Sequence, residues 1–269
     1  MTYDEAVSLL SAAGIYSACD EAEELFCTFG GYGRSTFHLM YRVESDSPKL
    51  IEAVHRRAKR EPLQYILGRA YFYRECYKVT PDCLIPRFDT ENLVDYAVKN
   101  LPDGGEFIDL CTGSGCIALS VLNNTKNTRA IALDISEGAL SVARENAESL
   151  ELCDRVEFIQ GDALSQPVGG MIDALLSNPP YVTEEAYRTL DPEIYFEPEA
   201  AFVGGVDGGD FYRRITPMYK DRLKEGGFIA YEIGYDQEEL IRAVAADNAM
   251  TCQIIKDLSG HPRVAVLKK

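Results

Sequence analysis

"FIDLCTGSGCIAL", Phe107 to Leu119, decides the fold class. An apolar stretch of strand character, "EFIDL", runs into a turn with Gly113 and Gly115 and leaves it as the apolar helical pattern "GCIALSVLNN". Strand, tight glycine turn and helix in direct succession form the opening of a βαβ unit. Its glycines let the backbone come close to a ligand, and its helix N-terminus presents free N–H donors. The spacing is not the G-x-G-x-x-G of dinucleotide loops, and the G-K-[ST] of a phosphate-gripping loop is absent. Asp109 stands just before the turn, where a carboxylate opposes a pyrophosphate and suits a ligand with a cationic amine or sulfonium.

Outward from that stretch, short apolar runs alternate with helical ones. Strands are predicted at "RAIALDI", "RVEFIQ", "DALLS", "GGFIAYEIG", "TCQIIKDL" and "RVAVLK", and helices at "SEGALSVARENAESL", "DFYRRITPMYKDRL" and "DQEELIRAVAADN". The alternation predicts an α/β fold, a Rossmann-like parallel sheet covered on both faces. The last two strands have no helix between them, which predicts an antiparallel edge hairpin. Upstream, "TYDEAVSLLSAAG" and "SACDEAEELFCTFGG" carry helical spacing and stop on glycines. "SDSPKLIEAVHRRAKRE" offers Ser47 as N-cap with Pro48 at the first helical position. "AYFYRECYKVT" reads as a hairpin turning near Arg74 and Glu75, and the helix that follows is expected to be capped near Asp89 or Thr90. The expected organisation is a small helical domain over 1–68, a linking β-hairpin over 69–83 and the α/β domain over 84–269.

Composition narrows the function. With 46% apolar residues in 269, the chain is an ordinary globular sequence of about two domains. No apolar run reaches the roughly 20 residues a membrane span needs. The acidic, amphipathic start "MTYDEAVSLL" is unlike an export signal, so a cytoplasmic location and no membrane partner are expected. Eight cysteines without a C-x-x-C pair read as reduced, mostly buried small apolar residues, and three scattered histidines predict no metal site. The net charge of −16 disfavours a phosphate backbone as ligand, and no direct nucleic-acid partner is expected. The single basic run, "VHRRAKR", reads as a solvated helix face.

Two further acids accompany Asp109. Asp134 closes the strand "AIALDI", where an acid accepts ribose hydroxyls, and Asp162 in "IQGDAL" is placed to accept an exocyclic adenine amine. Adenosine plus a cation fits S-adenosyl-L-methionine better than a dinucleotide. The fourth strand then ends in "SNPPYVTEE", Ser177 to Glu185. Each proline removes a donor and restricts its predecessor, which leaves a stiff tip with a rigid amide and spare carbonyls.

At "NPPY" the chain resembles the class I methyltransferases, whose amino-methylating members carry [ND]-P-P-[YF] after the fourth strand. "PLQYILGRAYFY", "VTPDCLIPRFDTENLVD", "DLCTGSGCIALS", "SNPPYV", "FEPEAAFVGGVDGGDFYRRI", "GGFIAYEIG" and "DLSGHPRVAV" follow in the order and spacing of one family. That family is the release-factor glutamine methyltransferases, the PrmC/HemK group. The resemblance covers nearly the whole chain and is strongest from Pro62 onward. It implies methylation of the glutamine side-chain amide in the GGQ motif of class 1 peptide chain release factors, with S-adenosyl-L-homocysteine as the second product. A monomer is expected, with the helical domain over 1–68 recognising the substrate.

By resemblance, Cys111, Thr112, Gly113, Ser114 and Gly115 wrap the methionine part of the cofactor. Asp134 holds the ribose, Asp162 and Ala163 border the adenine, and Asn178 touches cofactor and substrate. Asn178, Pro179, Pro180 and Tyr181 form the amide site, with Asn178 Oδ1 and the Pro179 carbonyl accepting the amide hydrogens and Tyr181 packing over its plane. Glu197 either lines the substrate cleft or stabilises its loop. Two departures concern pocket shape: the family usually has Gly at position 111 and commonly Pro at position 88, where this chain has Cys111 and Phe88. The alternatives are an adenine or guanine amino methyltransferase acting on nucleic acid and a non-catalytic cofactor-binding scaffold. A dinucleotide oxidoreductase is disfavoured by Asp109 and by the glycine spacing.

Overall fold

A computed structural model describes residues 1–40, 42–165 and 167–269. It divides into two compact units, one of Met1–Arg69 with Asp191–Phe196, the other of Ala70–Leu190 with Glu197–Lys269.

The first unit is helical: α1 (Tyr3–Ala12), α2 (Ala18–Phe29), α3 (Arg34–Phe37), α4 (Pro48–Ala58) and α5 (Leu63–Leu67). Thr2 and Glu5 close a capping box at α1, each side chain accepting from the other's backbone N–H at 3.2 and 2.8 Å, a signal that apolar spacing does not carry. Ser47 caps α4 with Pro48 in its first turn, as expected. Leu10, Leu25, Phe26, Leu50 and Val54 are wholly buried at the centre. The basic run is solvated only in part: His55 and Lys59 are exposed, as expected, but Arg57 is buried. Its guanidinium donates to Glu21 and, at 3.1 Å, to Glu193, while Arg60 donates to the other Glu193 oxygen at 2.6 Å. A planar fork with several donors satisfies two carboxylates at once, and so this cation can be buried.

A hairpin, β1 (Arg69–Phe72) and β2 (Glu75–Lys78), belongs from Ala70 onward to the second unit and turns at Tyr73 and Arg74. This is one residue earlier than expected, and Tyr73 takes the left-handed conformation at φ +58. A 3-10 turn, Phe88–Thr90, leads into α6 (Glu91–Asn100). Thr90 holds the N-cap position of α6, as expected, but makes no side-chain cap bond, because its hydroxyl is drawn to Glu232, while Asp89 pairs with Arg263. The main sheet comprises β3 (Glu106–Leu110), β4 (Arg129–Asp134), β5 (Val156–Gln160), β6 (Ile172–Ser177), β7 (Leu223–Glu232), β8 (Thr251–Lys256) and β9 (Pro262–Lys268). Its order is β5-β4-β3-β6-β7-β9-β8, parallel except for β9, which runs antiparallel to both neighbours. The fold is thus the α/β sheet with the antiparallel edge hairpin expected from the sequence.

Helices α7 (Cys116–Asn123), α8 (Glu137–Ser149), α9 (Glu184–Tyr187), α10 (Asp210–Tyr219) and α11 (Glu238–Asp247) complete the unit. Successive β3 residues point to opposite faces, so Phe107 joins one core layer with Leu119 and Leu176, and Ile108 joins the other with Leu175 and Tyr212. From β3 the chain first builds outward to β4 and β5, then returns to β6 on the other side. The carboxyl ends of β3, β4 and β6 therefore flank the switch point where such sheets bind ligands. Among the described residues no helix is long and apolar enough to cross a membrane. Of the eight cysteines only Cys83 and Cys116 are buried, and Cys19, Cys76 and Cys153 are exposed, contrary to expectation.

Candidate active site

The glycine turn at the end of β3 carries three left-handed residues, Cys111 (φ +60), Gly113 (φ +55) and Gly115 (φ +82). A Cβ on Gly115 would stand 3.1 Å from Ala143, so this glycine also serves the close approach of α8. Cys111 occupies a backbone region that costs an ordinary side chain roughly 1–2 kcal/mol, the physical content of its departure from glycine.

Asp109 faces the interior. Its Oδ2 accepts from the Thr112 hydroxyl at 2.6 Å and the Ala118 N–H at 3.1 Å, which ties the turn to the first turn of α7. Its Oδ1 has no partner among the described residues. Burial pushes the carboxyl up to about 7 against the pull of those two hydrogen bonds. At the end of β4, Asp134 accepts from Gly113 N at 2.8 Å and Ser136 N at 2.9 Å, and burial raises its carboxyl. Asp162, just past β5, accepts from Leu164 N at 2.8 Å.

A cavity of about 290 Å³ opens at these strand ends. Of the expected cofactor residues it gathers Cys111, Gly113, Asp134, Asp162, Ala163 and Asn178, with Pro180 from the expected amide site. Asp109, Thr112, Ser114, Gly115, Pro179 and Tyr181 do not line it. Its remaining wall comes partly from Asp82, Cys83 and Leu84 and partly from Pro198, Ala200, Ala201 and Val203, none of which the sequence reading had assigned. A larger cavity of about 390 Å³ lies at the opposite strand ends, beside Glu106, Arg129 and Ile172, and none of the expected residues reaches it.

At the tip of β6 the Ser177 hydroxyl donates to Leu110 O at 2.7 Å and locks the two strand ends together. Asn178 Nδ2 donates to Thr90 Oγ1 at 3.3 Å, and the Thr90 hydroxyl donates to Glu232 Oε2. Among the described residues nothing engages Asn178 Oδ1 or the Pro179 carbonyl. The Tyr181 hydroxyl donates to the other Glu232 oxygen at 3.1 Å. Glu232 is thus a buried carboxylate behind Thr90 and Tyr181, outside the cavity lining, and the sequence did not single it out. The available signal was an acid near the end of the apolar run "FIAYEIG".

The segment after α9 is laid against the proline tip by a parallel bridge between Val182 and Val203. Val182 N donates to Phe202 O at 2.8 Å and Gly204 N donates to Val182 O at 2.9 Å. Glu197 does not line the cavity: it accepts from Ile85 N at 2.9 Å and from Arg87, so it stabilises the loop. Burial raises its carboxyl while Arg87 works in the other direction.

Residues 2–68 match the PrmC N-terminal domain family, and residues 89–193 match the methyltransferase small domain family. Over 272 residues the chain is 39% identical to the release factor glutamine methyltransferase of Moorella thermoacetica, a match covering 96% of this chain and 94% of that protein. The chain belongs to the release factor glutamine methyltransferase family. A second member of the family, from Caulobacter vibrioides, is 40% identical over 221 residues, 81% of this chain and 76% of its own. Among solved structures, the hMettl16 catalytic domain in complex with the MAT2A 3'UTR hairpin 6 superposes with a TM-score of 0.58 at 14% identity, covering 84% of each chain. At that identity the likeness is one of fold, the methyltransferase sheet.

Proposed function

We propose that this chain transfers a methyl group from S-adenosyl-L-methionine to the side-chain amide nitrogen of the glutamine in the GGQ motif of class 1 peptide chain release factors. The observation that carries the reading is the pair of unengaged acceptors, Asn178 Oδ1 and the Pro179 carbonyl, on a stiff strand tip whose Asn178 and Pro180 line the cavity. The residues present suit the cofactor. Two carboxylates, Asp134 and Asp162, and the apolar Leu133, Ile135 and Ala163 border the same space, a mixture of acceptors and apolar surface that fits an adenosine.

When bound, S-adenosyl-L-methionine supplies an electrophilic methyl group on a positive sulfur and departs as the neutral S-adenosyl-L-homocysteine. Asp134 is assigned to the ribose hydroxyls, Asp162 and Ala163 to the adenine, and the turn from Cys111 to Gly115 to the methionine part. A glutamine amide is a poor nucleophile because its nitrogen lone pair is shared with its carbonyl. Asn178 Oδ1 and the Pro179 carbonyl accept its two N–H groups, turn that lone pair toward the methyl carbon and favour the positive charge that grows on nitrogen. Orientation of this kind supplies roughly 7–11 kcal/mol of a barrier. A neutral leaving group needs no acid, and a proton lost after transfer needs no strong base.

We assign release-factor recognition to residues 1–68. Deleting residues 1–65 is expected to weaken release-factor binding while sparing cofactor binding. Because Arg57 and Arg60 hold Glu193, the deletion also strips Asp191–Phe196 of these partners, and proteolysis there should quicken. The deciding experiment offers the full chain labelled cofactor with a release factor, with its GGQ→GGA variant, and with DNA and RNA. Label in the first alone is expected, and label in nucleic acid would overturn the reading in favour of a base amino methyltransferase.

A further inference from the structure

We infer that Glu232 is a positioning residue: acting through the Thr90 hydroxyl, it fixes which end of the Asn178 amide faces the substrate. The inference rests on the amide-methylating function proposed above. A carboxamide has two ends of similar size and opposite hydrogen-bonding sense, one accepting and one donating. Only the oxygen end can take a substrate N–H. With the nitrogen end outward, donors would face donors and the substrate amide would be turned away.

The choice between the two ends passes along a chain of three side chains. A threonine hydroxyl has one proton, and Thr90 gives it to Glu232 Oε2. What remains on Thr90 Oγ1 is lone pairs, and these accept from Asn178 Nδ2 at 3.3 Å. Flipped, Asn178 would set its oxygen against those lone pairs. Glu232 has no proton to offer in return while ionised, and its second oxygen is already taken by the Tyr181 hydroxyl at 3.1 Å. Thr90, Asp109 and Glu232 are all buried, so water does not compete at Thr90 or Glu232 for these bonds. An ionised, acceptor-only group at the far end of the chain thereby sets the sense of every bond up to the substrate.

Several groups face Glu232. Arg263 on β9 favours its ionised form, and Asp89 before α6, which pairs with Arg263 at 3.1 Å, opposes it. Tyr212 on α10 donates to the Glu232 main-chain oxygen at 2.9 Å, and the Cys116 thiol of α7 is also within its electrostatic reach. Burial outweighs the favourable contacts and pushes the carboxyl up to about 7. Protonated, Glu232 can donate to Thr90, whose own proton is then free to turn toward Asn178 Oδ1. Activity is therefore present above that pH and lost as pH falls through it.

The test uses the full chain with release factor and labelled cofactor in single turnovers, with melting temperature and S-adenosyl-L-homocysteine binding measured alongside. Glu232→Gln, which keeps the shape but brings its own donors, is expected to slow methyl transfer about 100-fold with nearly unchanged product affinity. Thr90→Val should do the same and Thr90→Ser should restore most of the rate, so the inference stays testable if Glu232→Gln fails to fold. In an Asn178→Ala background, Glu232→Gln should cost nothing further, because its whole effect passes through Asn178. The rise in rate across neutral pH should be absent from Glu232→Gln. A Glu232→Gln chain with wild-type turnover, or one equally damaging in the Asn178→Ala background, would overturn the inference while leaving the function intact. A wild-type chain that labels no release factor would overturn the function and this inference together.

Discussion

An alanine at Gly204 would place its Cβ 2.3 Å from the Pro180 carbonyl oxygen and 2.8 Å from both the Pro180 carbonyl carbon and Tyr181 Cα. Carbon and oxygen ordinarily come no nearer than about 3.3 Å, so about 1 Å of movement is required. Every atom in the way is backbone, and no side chain can swing aside. Either the Val182–Val203 bridge opens, with loss of the hydrogen bonds at 2.8 and 2.9 Å, or the Asn178–Tyr181 tip shifts. Opening the bridge removes two bonds worth about 1 kcal/mol each, within the roughly 1–3 kcal/mol typical of overpacking. A shift of about 1 Å in groups that aim a nucleophile costs on the order of 100-fold in rate. Gly204→Ala is therefore expected to lose about 2 kcal/mol of stability and about two orders of magnitude in single-turnover methyl transfer, with cofactor affinity changed far less. Gly170→Ala is the control, since a Cβ there meets nothing within 4 Å. If Gly204→Ala turned over within about threefold of the wild type, the close approach of this loop would not be what sets the proline tip.

Asn178→Ala removes one of the two acceptors and should lower turnover on the order of 10²–10³-fold with cofactor titrations little changed; near-normal single turnovers would remove Asn178 from the mechanism. Asp109 has a folded-state carboxyl near 7, above its unfolded value, so its contribution is most favourable at low pH and is lost as pH rises through that range. Denaturant unfolding of Asp109→Asn and wild type at pH 5 and pH 8 should show the variant gaining relative stability at the higher pH; a constant gap would contradict the burial argument. Cys111→Gly trades strain of about 1–2 kcal/mol against about 0.4–1 kcal/mol of added unfolded-chain freedom. Its melting temperature should rise by a small margin, and a fall would mean that position 111 stores no strain. In the wild type, burial raises the Cys111 thiol well above its usual range, so alkylation should be slow at neutral pH and slower with cofactor bound; equal labelling would place the thiol outside the pocket.

Local chemistry made much of this protein legible from its residues alone. The strand–turn–helix at Phe107 to Leu119, the acids that follow each strand and the double proline at 179 and 180 are short-range patterns, governed by side-chain period, backbone sterics and missing donors. They were enough to indicate the sheet, its antiparallel edge, the acids Asp134 and Asp162 and the stiff amide of Asn178, while the family resemblance added Cys111 and Ala163 to the cavity residues. They could not say that Asp109 turns inward to Thr112 and Ala118, because that depends on where α7 begins relative to β3. Nor could they join Thr90 to Glu232, 142 positions apart, or Arg57 to Glu193, 136 apart. Those pairs meet only after β7 has been laid beside β6 and the segment 191–196 has joined the helical unit. A buried polar group takes whichever partner the folded chain brings to it, since going unpaired costs more than the search for a distant one. The stiff amide at Asn178 was written in the sequence; the direction in which it faces was decided by a carboxylate that only the tertiary structure placed behind it.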